Sequence, residues 1–204
     1  RSGVPILIKD PGQESIRKSM LIEAPHAQFV EVHGTIKDQA KSLAKEFLIS
    51  LGLPYTPTDV RWPARMQQLN VEPIILLDAA HNPSGMRQAV KEFIPQLPEK
   101  WCLIFGSSPQ TNMGSFLHPL KRMIEQNPPQ KILLTKPQNG RYPGVEDLPI
   151  EGTWFSTPEK AIEFAQKMDV DLILVTGSLY LCGNILQILG FDSDEDLSLL
   201  AQPS

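Results

Sequence analysis

The stretch Pro73–Gly85, which reads P-I-I-L-L-D-A-A-H-N-P-S-G, restricts the possible folds more than any other part of the chain. Its apolar run Ile74–Leu77 predicts a strand that is buried on both faces, as in a parallel sheet. Asp78 and His81 follow this run, and Ser84 is expected to cap the helix that comes next. Open α/β sheets bind ligands at the carboxyl ends of their strands. The stretch therefore predicts a ligand site on a strand–loop–helix unit.

Each polar residue of this stretch also has an ordinary structural explanation. An aspartate at the end of a strand is often a turn or capping residue, and Asn82 suits a turn for the same reason. His81 taken alone could be a loop histidine whose hydrogen bonds are satisfied locally. Turn chemistry accounts for each residue singly, and only their combination points to a ligand.

Strands and helices alternate along the whole chain. Strands are predicted at 4–8, 29–32, 74–77, 101–105, 131–135, 153–155 and 172–175, and helices at 14–24, 37–51, 86–94, 113–125, 179–189 and after a cap at Thr157. This order is typical of βαβ units with right-handed crossovers. It predicts an α/β fold with a Rossmann-like, mostly parallel sheet flanked by helices.

The composition excludes several classes of function. The 204 residues are 41% hydrophobic and carry a net charge of −4, without a basic cluster, which argues against nucleic acid as the main partner. No apolar run approaches the roughly 20 residues that span a bilayer, so no membrane partner is expected. Cys102 and Cys182 lie in apolar surroundings and are predicted to be buried free thiols. No signal segment opens the chain, and a cytoplasmic location is expected.

Three predicted loops meet at one edge of the sheet, at 78–84, 106–114 and 176–180. In the last of them, Gly177 and Ser178 precede a helix and offer free amides and a positive dipole end to an anion. The same sequence is also a common tight turn with Ser178 as the helix cap, and this second explanation is favoured for the loop on its own.

Three segments of the chain resemble motifs of one known family, in the family's order. The segment D-A-A-H-N-P at 78–83 resembles the D-G-A-H-N-P segment of folylpolyglutamate and dihydrofolate synthases, in the Mur ligase superfamily. Trp62-Pro63-Ala64-Arg65-Met66 is similar to the family's W-P-G-R-L, with Ala64 where glycine is usual. The residues V-T-G-S-L-Y-L at 175–181 resemble the family's T-G-S-L-Y-L segment almost letter for letter.

The resemblance implies roles for individual residues. It implies that Arg65 contacts nucleotide phosphates, which suits a bidentate guanidinium, and that Asp78 contacts the ribose hydroxyls. It places His81 beside nucleotide and glutamate, as the catalytic residue, with Asn82 and Ser84 as weaker binding companions. The later motif places Ser178 and Tyr180 on the glutamate side of the site.

The reaction implied by the resemblance is ATP-dependent amide formation. A carboxylate of folate or dihydropteroate attacks ATP to give an acyl phosphate, and L-glutamate then displaces the phosphate, with Mg²⁺ as the metal. By the same resemblance, residues 1–57 are the tail of a central ATP-binding domain whose remainder lies outside this chain. Residues 58–204 are the carboxy-terminal glutamate- and nucleotide-binding domain.

Two departures from the family leave alternatives open. The chain contains no G-x-x-x-x-G-K-[ST] motif, so no phosphate cradle and no metal site is assigned within it, and the chain alone is expected to be inactive. The uncharged segment Gly106–Met113 stands where the family usually has a D-K-D-type segment. A degenerate, non-catalytic nucleotide-binding module and a cell-wall-type Mur ligase domain therefore remain alternatives to the folate-type ligase.

Overall fold

A computed structural model describes residues 5–57, 62–140 and 142–192. The chain folds as two compact units, Arg1–Thr58 and Asp59–Ser204. No helix within the described ranges is both long enough and apolar enough to cross a membrane.

The first unit is a small strand–helix–strand–helix segment. Strand β1 (Ile6–Lys9) pairs in parallel with β2 (Ala27–Val30), and the helices are α1 (Glu14–Glu23) and α2 (Ile36–Ser50). Thr35 and Asp38 form a reciprocal capping box at the start of α2, which satisfies two helix-end donors. None of the described residues of this unit is buried.

The second unit contains a six-stranded sheet in the order β3-β4-β8-β5-β6-β7. Five strands run parallel, and only the edge strand β3 is antiparallel to its neighbour. The strands are β3 (Gln67–Leu69), β4 (Ile74–Asp78), β5 (Trp101–Phe105), β6 (Lys131–Thr135), β7 (Thr153–Phe155) and β8 (Leu172–Thr176). The predicted mostly parallel α/β sheet is confirmed.

Helices cover both faces of this sheet. The helices are α3 (Pro83–Phe93), α4 (Met113–Gln126), α5 (Pro158–Ala165) and α6 (Leu179–Ile188), with one 3₁₀ turn at Ile94–Gln96. One core cluster joins the sheet to α3 and α4, and the other joins it to α5 and α6. Both faces of the central strands are therefore buried, which explains why Trp101–Phe105 and Leu172–Thr176 are apolar almost throughout.

Both cysteines are buried free thiols, as predicted. Burial raises the pKa of Cys102 to about 12 and raises the pKa of Cys182 further. Neither thiol is therefore reactive at neutral pH.

The structure corrects two local predictions. Helix α3 begins at Pro83 and is capped by Asn82, not by Ser84, because the Asn82 side-chain oxygen accepts the Gly85 amide at 2.8 Å. Strand β3 was not predicted, since two of its three residues are glutamines and it lacks the β-branched and aromatic residues typical of strands. The start of the first predicted strand, Val4, lies outside the described residues.

Candidate functional site

The candidate site lies at the carboxyl edge of the central strands. Strand β8 lies between β4 and β5, and Thr176 at its end is in register with both Asp78 and Phe105. The three loops predicted to share this edge therefore follow three neighbouring strands. This placement confirms the expectation that they meet.

The loop that carries Arg65 is fixed by hydrogen bonds at several points. The Ala64 amide donates to the Gln67 side chain at 2.7 Å, and the Ala64 carbonyl accepts the Ala79 amide at 2.8 Å. Ala64 and Met66 have φ values of 52° and 47°, in the left-handed region that favours glycine. The structure thus explains why glycine is usual at position 64 in the family motif, and it leaves the Arg65 side chain exposed at the edge of the sheet.

Asp78 joins this loop to the loop after β4. Asp78 is 2% exposed, and its carboxylate accepts hydrogen bonds from the Met66 amide at 3.1 Å and the Ala80 amide at 2.9 Å. Burial raises the pKa of Asp78, while the Met66 amide and the nearby Arg65 charge act in the opposite direction. The geometry is that of a buried group that holds two loops together.

His81 is exposed, and its ring has a defined orientation. Its Nδ1 lies 2.8 Å from the Ala79 carbonyl oxygen. Because a carbonyl oxygen only accepts, Nδ1 must donate, and the neutral imidazole then has its lone pair on Nε2. The ring nitrogen that can take a proton is therefore the one not bonded to the protein backbone.

Asn82, Ser84 and Ser178 lie at helix starts. Ser84 donates to the Asn82 oxygen that caps α3, at 2.9 Å. Ser178 caps α6 by accepting the Tyr180 amide at 3.2 Å, and it is almost fully buried. The capping role weighed for Ser178 from the sequence is present, and binding roles for these three residues stay predictions.

Two loops touch through their main chains, in a way that requires glycine. A Cβ atom at Gly177, whose φ is 110°, would lie 2.5 Å from the Gly106 carbonyl oxygen and 2.5 Å from the Phe105 ring. A Cβ atom at Gly106 would lie 2.3 Å from the Thr135 carbonyl oxygen. The loops after β5, β6 and β8 are therefore in direct backbone contact.

The long loop after β6 packs beside α6. The Asn184 side chain of α6 accepts the Gln138 amide at 2.8 Å, and Lys136 forms an ion pair with Glu146. The Tyr180 ring lies close to Gly140 in the same loop. Tyr180 remains 40% exposed, so its ring borders the site instead of belonging to the core.

The loop after β5 contributes two residues that the sequence analysis did not single out. Asn112 caps α4 by accepting the Ser115 amide at 2.9 Å. The Gln110 side chain donates to the His81 carbonyl oxygen at 3.0 Å. An asparagine before a helical pattern is a readable cap signal, whereas the contact of Gln110 depends on tertiary structure and has no sequence signal.

The seven predicted site residues thus fall into two groups. Arg65, His81 and Tyr180 have exposed side chains at the carboxyl edge. Asp78, Asn82, Ser84 and Ser178 form hydrogen bonds that shape the loops carrying them.

The described residues fit a nucleotide better than they fit a metal. The exposed Arg65 guanidinium suits a phosphate, and the buried Thr176 hydroxyl at the strand ends has no hydrogen-bond partner within the described ranges. By contrast, no group of three or more His, Cys, Asp or Glu side chains that could hold a metal ion is present among the described residues. We therefore assign no magnesium ligand to the described part of the chain.

Comparison with known proteins gives consistent matches. Folylpolyglutamate synthase of Lacticaseibacillus casei is 25% identical over 156 residues, which are 72% of this chain and 36% of that protein. The bifunctional folylpolyglutamate synthase/dihydrofolate synthase of Yersinia pestis, complexed with AMPPNP and Mn ion, has a TM-score of 0.70 at 18% identity, over 93% of this chain and 54% of that chain. Mycobacterium tuberculosis folylpolyglutamate synthase has a TM-score of 0.68 at 14% identity, over 92% of this chain and 55% of that chain.

The structural matches at these identities show a shared fold. This chain spans about a third of the length of the curated relative and about half of each solved chain.

The resemblance inferred from the three motifs is confirmed. A family model described as Mur ligase, glutamate ligase domain, matches residues 64–179. Since these residues are more than half of the chain, this protein belongs to the Mur ligase family through its glutamate ligase domain.

Proposed function

We propose that this chain is the carboxy-terminal part of an ATP-dependent ligase that joins L-glutamate to dihydropteroate or to a folate. The relative from Lacticaseibacillus casei is a folylpolyglutamate synthase, and one solved bifunctional synthase was determined with Mn, AMPPNP and L-glutamate bound. These relatives support the folate class over a cell-wall precursor. We further propose that residues 1–57 belong to the ATP-binding domain of the whole enzyme, which acts in the cytoplasm.

One observation carries the proposal. The loop with Arg65 and the loop with His81 are bonded to each other, through Asp78 to the Met66 amide and through the Ala79 amide to the Ala64 carbonyl. A cation suited to phosphate and a base suited to an amine are thereby held on one edge of the sheet. Fixed relative positions of this kind are what a transfer between two substrates requires.

The proposed reaction has two steps. A carboxylate oxygen of the folate or dihydropteroate bonds to the γ-phosphorus of ATP as the bond to ADP breaks, which gives an acyl phosphate and ADP. The amine nitrogen of L-glutamate then bonds to the acyl carbon, and phosphate leaves with the electrons of the broken C–O bond. The amine loses a proton in this step, and Nε2 of His81 is the proposed acceptor.

Each remaining predicted residue has a proposed part. Arg65 binds phosphate oxygens through its guanidinium, and Tyr180 borders the glutamate. For Asp78 we propose loop positioning in place of the ribose contact that the resemblance implies, because its carboxylate is buried and both oxygens accept backbone amides. Asn82, Ser84 and Ser178 shape the ends of α3 and α6 beside the substrates.

The first test uses this chain by itself. Titration of the ¹⁵N-labelled chain with AMPPNP and separately with L-glutamate is expected to shift resonances of the loops at 62–66, 79–84 and 177–180. Arg65→Ala should weaken the AMPPNP shifts and spare those from L-glutamate. Arg122→Ala, an exposed arginine near the end of α4, is the matched control. Shifts elsewhere, or equal effects of the two variants, would contradict the site.

The second test concerns turnover. The chain alone is expected to show neither ATP hydrolysis nor glutamate ligation, because its sequence lacks a phosphate-binding glycine-rich loop. Ligation is expected once an ATP-binding portion is supplied in the same polypeptide. A non-catalytic nucleotide-binding module is the second candidate, favoured by the uncharged segment Gly106–Met113, and it predicts AMPPNP binding without ligation in the longer enzyme.

A further inference from the structure

We propose that Gln110 is a positioning residue for His81. It acts through hydrogen bonds that require a donor group at position 110. The inference rests on the role proposed above for His81, and it concerns the uncharged loop after β5. Gln110 contacts the backbone of His81 and not its imidazole, so it acts on the ring indirectly.

The first step is the geometry of the contact. Nε2 of Gln110 donates to the His81 carbonyl oxygen at 3.0 Å and lies 3.4 Å from the Ser108 carbonyl oxygen. Strands β4 and β5, whose loops are joined in this way, are not neighbours, since β8 lies between them. One side-chain amide therefore links two loops across the end of a third strand.

The second step is what this link does to the imidazole. The ring of His81 is bonded to the Ala79 carbonyl through Nδ1, and the main chain of His81 is held by Gln110. An exposed histidine with neither bond samples several rotamers and both tautomers. The two bonds together favour one ring orientation, in which Nε2 is the accepting nitrogen.

The third step is the chemistry at position 110. Both atoms facing the Gln110 amide are carbonyl oxygens, which accept and cannot donate. A carboxylate there would have no proton to give and would place negative charge against two oxygens. The segment Gly106–Met113, to which Gln110 belongs, contains no charged residue, so a neutral amide and not an ion pair makes this link.

The test compares Gln110→Ala and Gln110→Glu in the ¹⁵N-labelled chain. Amide hydrogen exchange is read at Ala79, Ala80 and Gly85, whose amides have the defined partners described above. We expect about tenfold faster exchange in Gln110→Ala and at least as large an increase in Gln110→Glu. The ¹⁵N shifts of the His81 ring should move from the Nδ1–H tautomer toward a mixture of both tautomers.

A matched glutamine provides the control. Gln96 is exposed, and its Nε2 likewise donates to a main-chain carbonyl oxygen, that of Glu92, at 2.8 Å. Gln96→Ala and Gln96→Glu should leave the exchange of the three reporters and the His81 ring shifts unchanged. Equal effects of the Gln96 and Gln110 changes would overturn the proposal. Wild-type behaviour of Gln110→Glu would also overturn it, because side-chain length, and not the donor, would then hold the loop.

A kinetic measurement separates this inference from the proposed function. In a ligase completed with its ATP-binding portion, Gln110→Glu should lower kcat and leave KM for ATP close to its wild-type value. An unchanged kcat, together with altered His81 shifts, would contradict a positioning role in the reaction. If the completed enzyme shows no ligation at all while the exchange results hold, the proposed function fails and the link from Gln110 to the His81 loop stands.

Discussion

The two units of the chain are built from the same alternation of strands and helices, yet only the second has a core among its described residues. In the second unit, both faces of β4, β5 and β8 are covered, and residues such as Phe93 and Phe105 are fully buried. In the first unit, none of the described residues is buried, and Ile22 is 79% exposed. A strand–helix repeat buries its apolar residues only where enough strands lie side by side to be covered on both faces.

The first unit is ordered by the β1–β2 pairing and by hydrogen bonds near its surface. Thr35 and Asp38 cap α2, and Asp10 accepts a hydrogen bond from Arg17 Nε at 2.8 Å. Helix caps and single ion pairs that are not fully buried contribute little compared with a buried core. We therefore expect the two units to respond differently to the same kinds of substitution.

The largest difference is expected for phenylalanine to alanine changes in the helices. Phe116 in α4 is fully buried, and Phe116→Ala should lower the free energy of unfolding by about 3–5 kcal/mol. Phe47 in α2 is only partly buried, and Phe47→Ala should cost about 1 kcal/mol. Urea unfolding of both variants checks this, and equal losses would show that the first unit has a core of its own.

A smaller effect is expected from the loop carboxylate. Asp78→Ala leaves the Met66 and Ala80 amides without their acceptor, which should cost about 2 kcal/mol after the relief of carboxylate desolvation. Asp10→Ala removes an ion pair with the partly exposed Arg17 and leaves no fully buried amide without an acceptor, so it should change stability much less. Thermal unfolding of the two variants is the measurement, and a larger shift for Asp10→Ala would reverse the ranking.

The two aspartates should also differ in the sign of their pH dependence. Burial raises the pKa of Asp78 above 3.8. Its contribution to the free energy of unfolding is therefore fully present below pH 3.8 and is lost as the pH rises through the raised pKa. The hydrogen bond from Arg17 lowers the pKa of Asp10, so its contribution is present above pH 3.8 and is lost as the pH falls through the lowered pKa.

Stability measured from pH 2 to pH 7 in wild type, Asp78→Asn and Asp10→Asn tests these signs. As the pH rises, the free energy of unfolding of the wild type should fall relative to that of Asp78→Asn. Over the same rise in pH, the free energy of unfolding of the wild type should increase relative to that of Asp10→Asn. The same sign for both aspartates would contradict the assigned causes.

The smallest effects are expected at the helix caps. Asn112→Ala and Thr35→Ala each remove a side chain that accepts a helix-end amide, at a cost of about 1 kcal/mol. In the second unit, the loss should lower the global unfolding midpoint, because α4 belongs to a cooperative core. In the first unit, it should appear as faster hydrogen exchange at the start of α2 without a change in that midpoint. A global shift from Thr35→Ala would mean that the two units unfold together.

Much of the second unit could be predicted from the sequence because its signals are long and redundant. Trp101–Phe105, Lys131–Thr135 and Thr153–Phe155 have the predicted bounds, and the strand ends meet at one edge as expected. Strand β3 was missed because two of its three residues are glutamines, whereas the equally short Thr153–Phe155 is rich in β-branched and aromatic residues. The cap of α3 was assigned two residues too late, since Asn82 and Ser84 are both good caps and only the fold decides between them.

The site was predictable in its location and less so in its contacts. Arg65 and His81 are exposed at the edge where the motifs placed them. The burial of Asp78 depends on the loop at 62–66 folding over the end of β4, and the bond from Gln110 to His81 joins positions 29 residues apart. Neither contact leaves a local pattern in the sequence.

The close approach of Gly106 and Gly177 has a consequence for how such a site can change over evolution. The loops after β5, β6 and β8 contact one another through main-chain atoms, and glycine is required at Gly106 and Gly177, where a Cβ atom would collide. Apart from Gln110, side chains on the outer part of the loop after β5 can therefore be exchanged without moving these main-chain contacts. A family built in this way can vary the chemistry on its loops while the architecture that holds them is inherited unchanged.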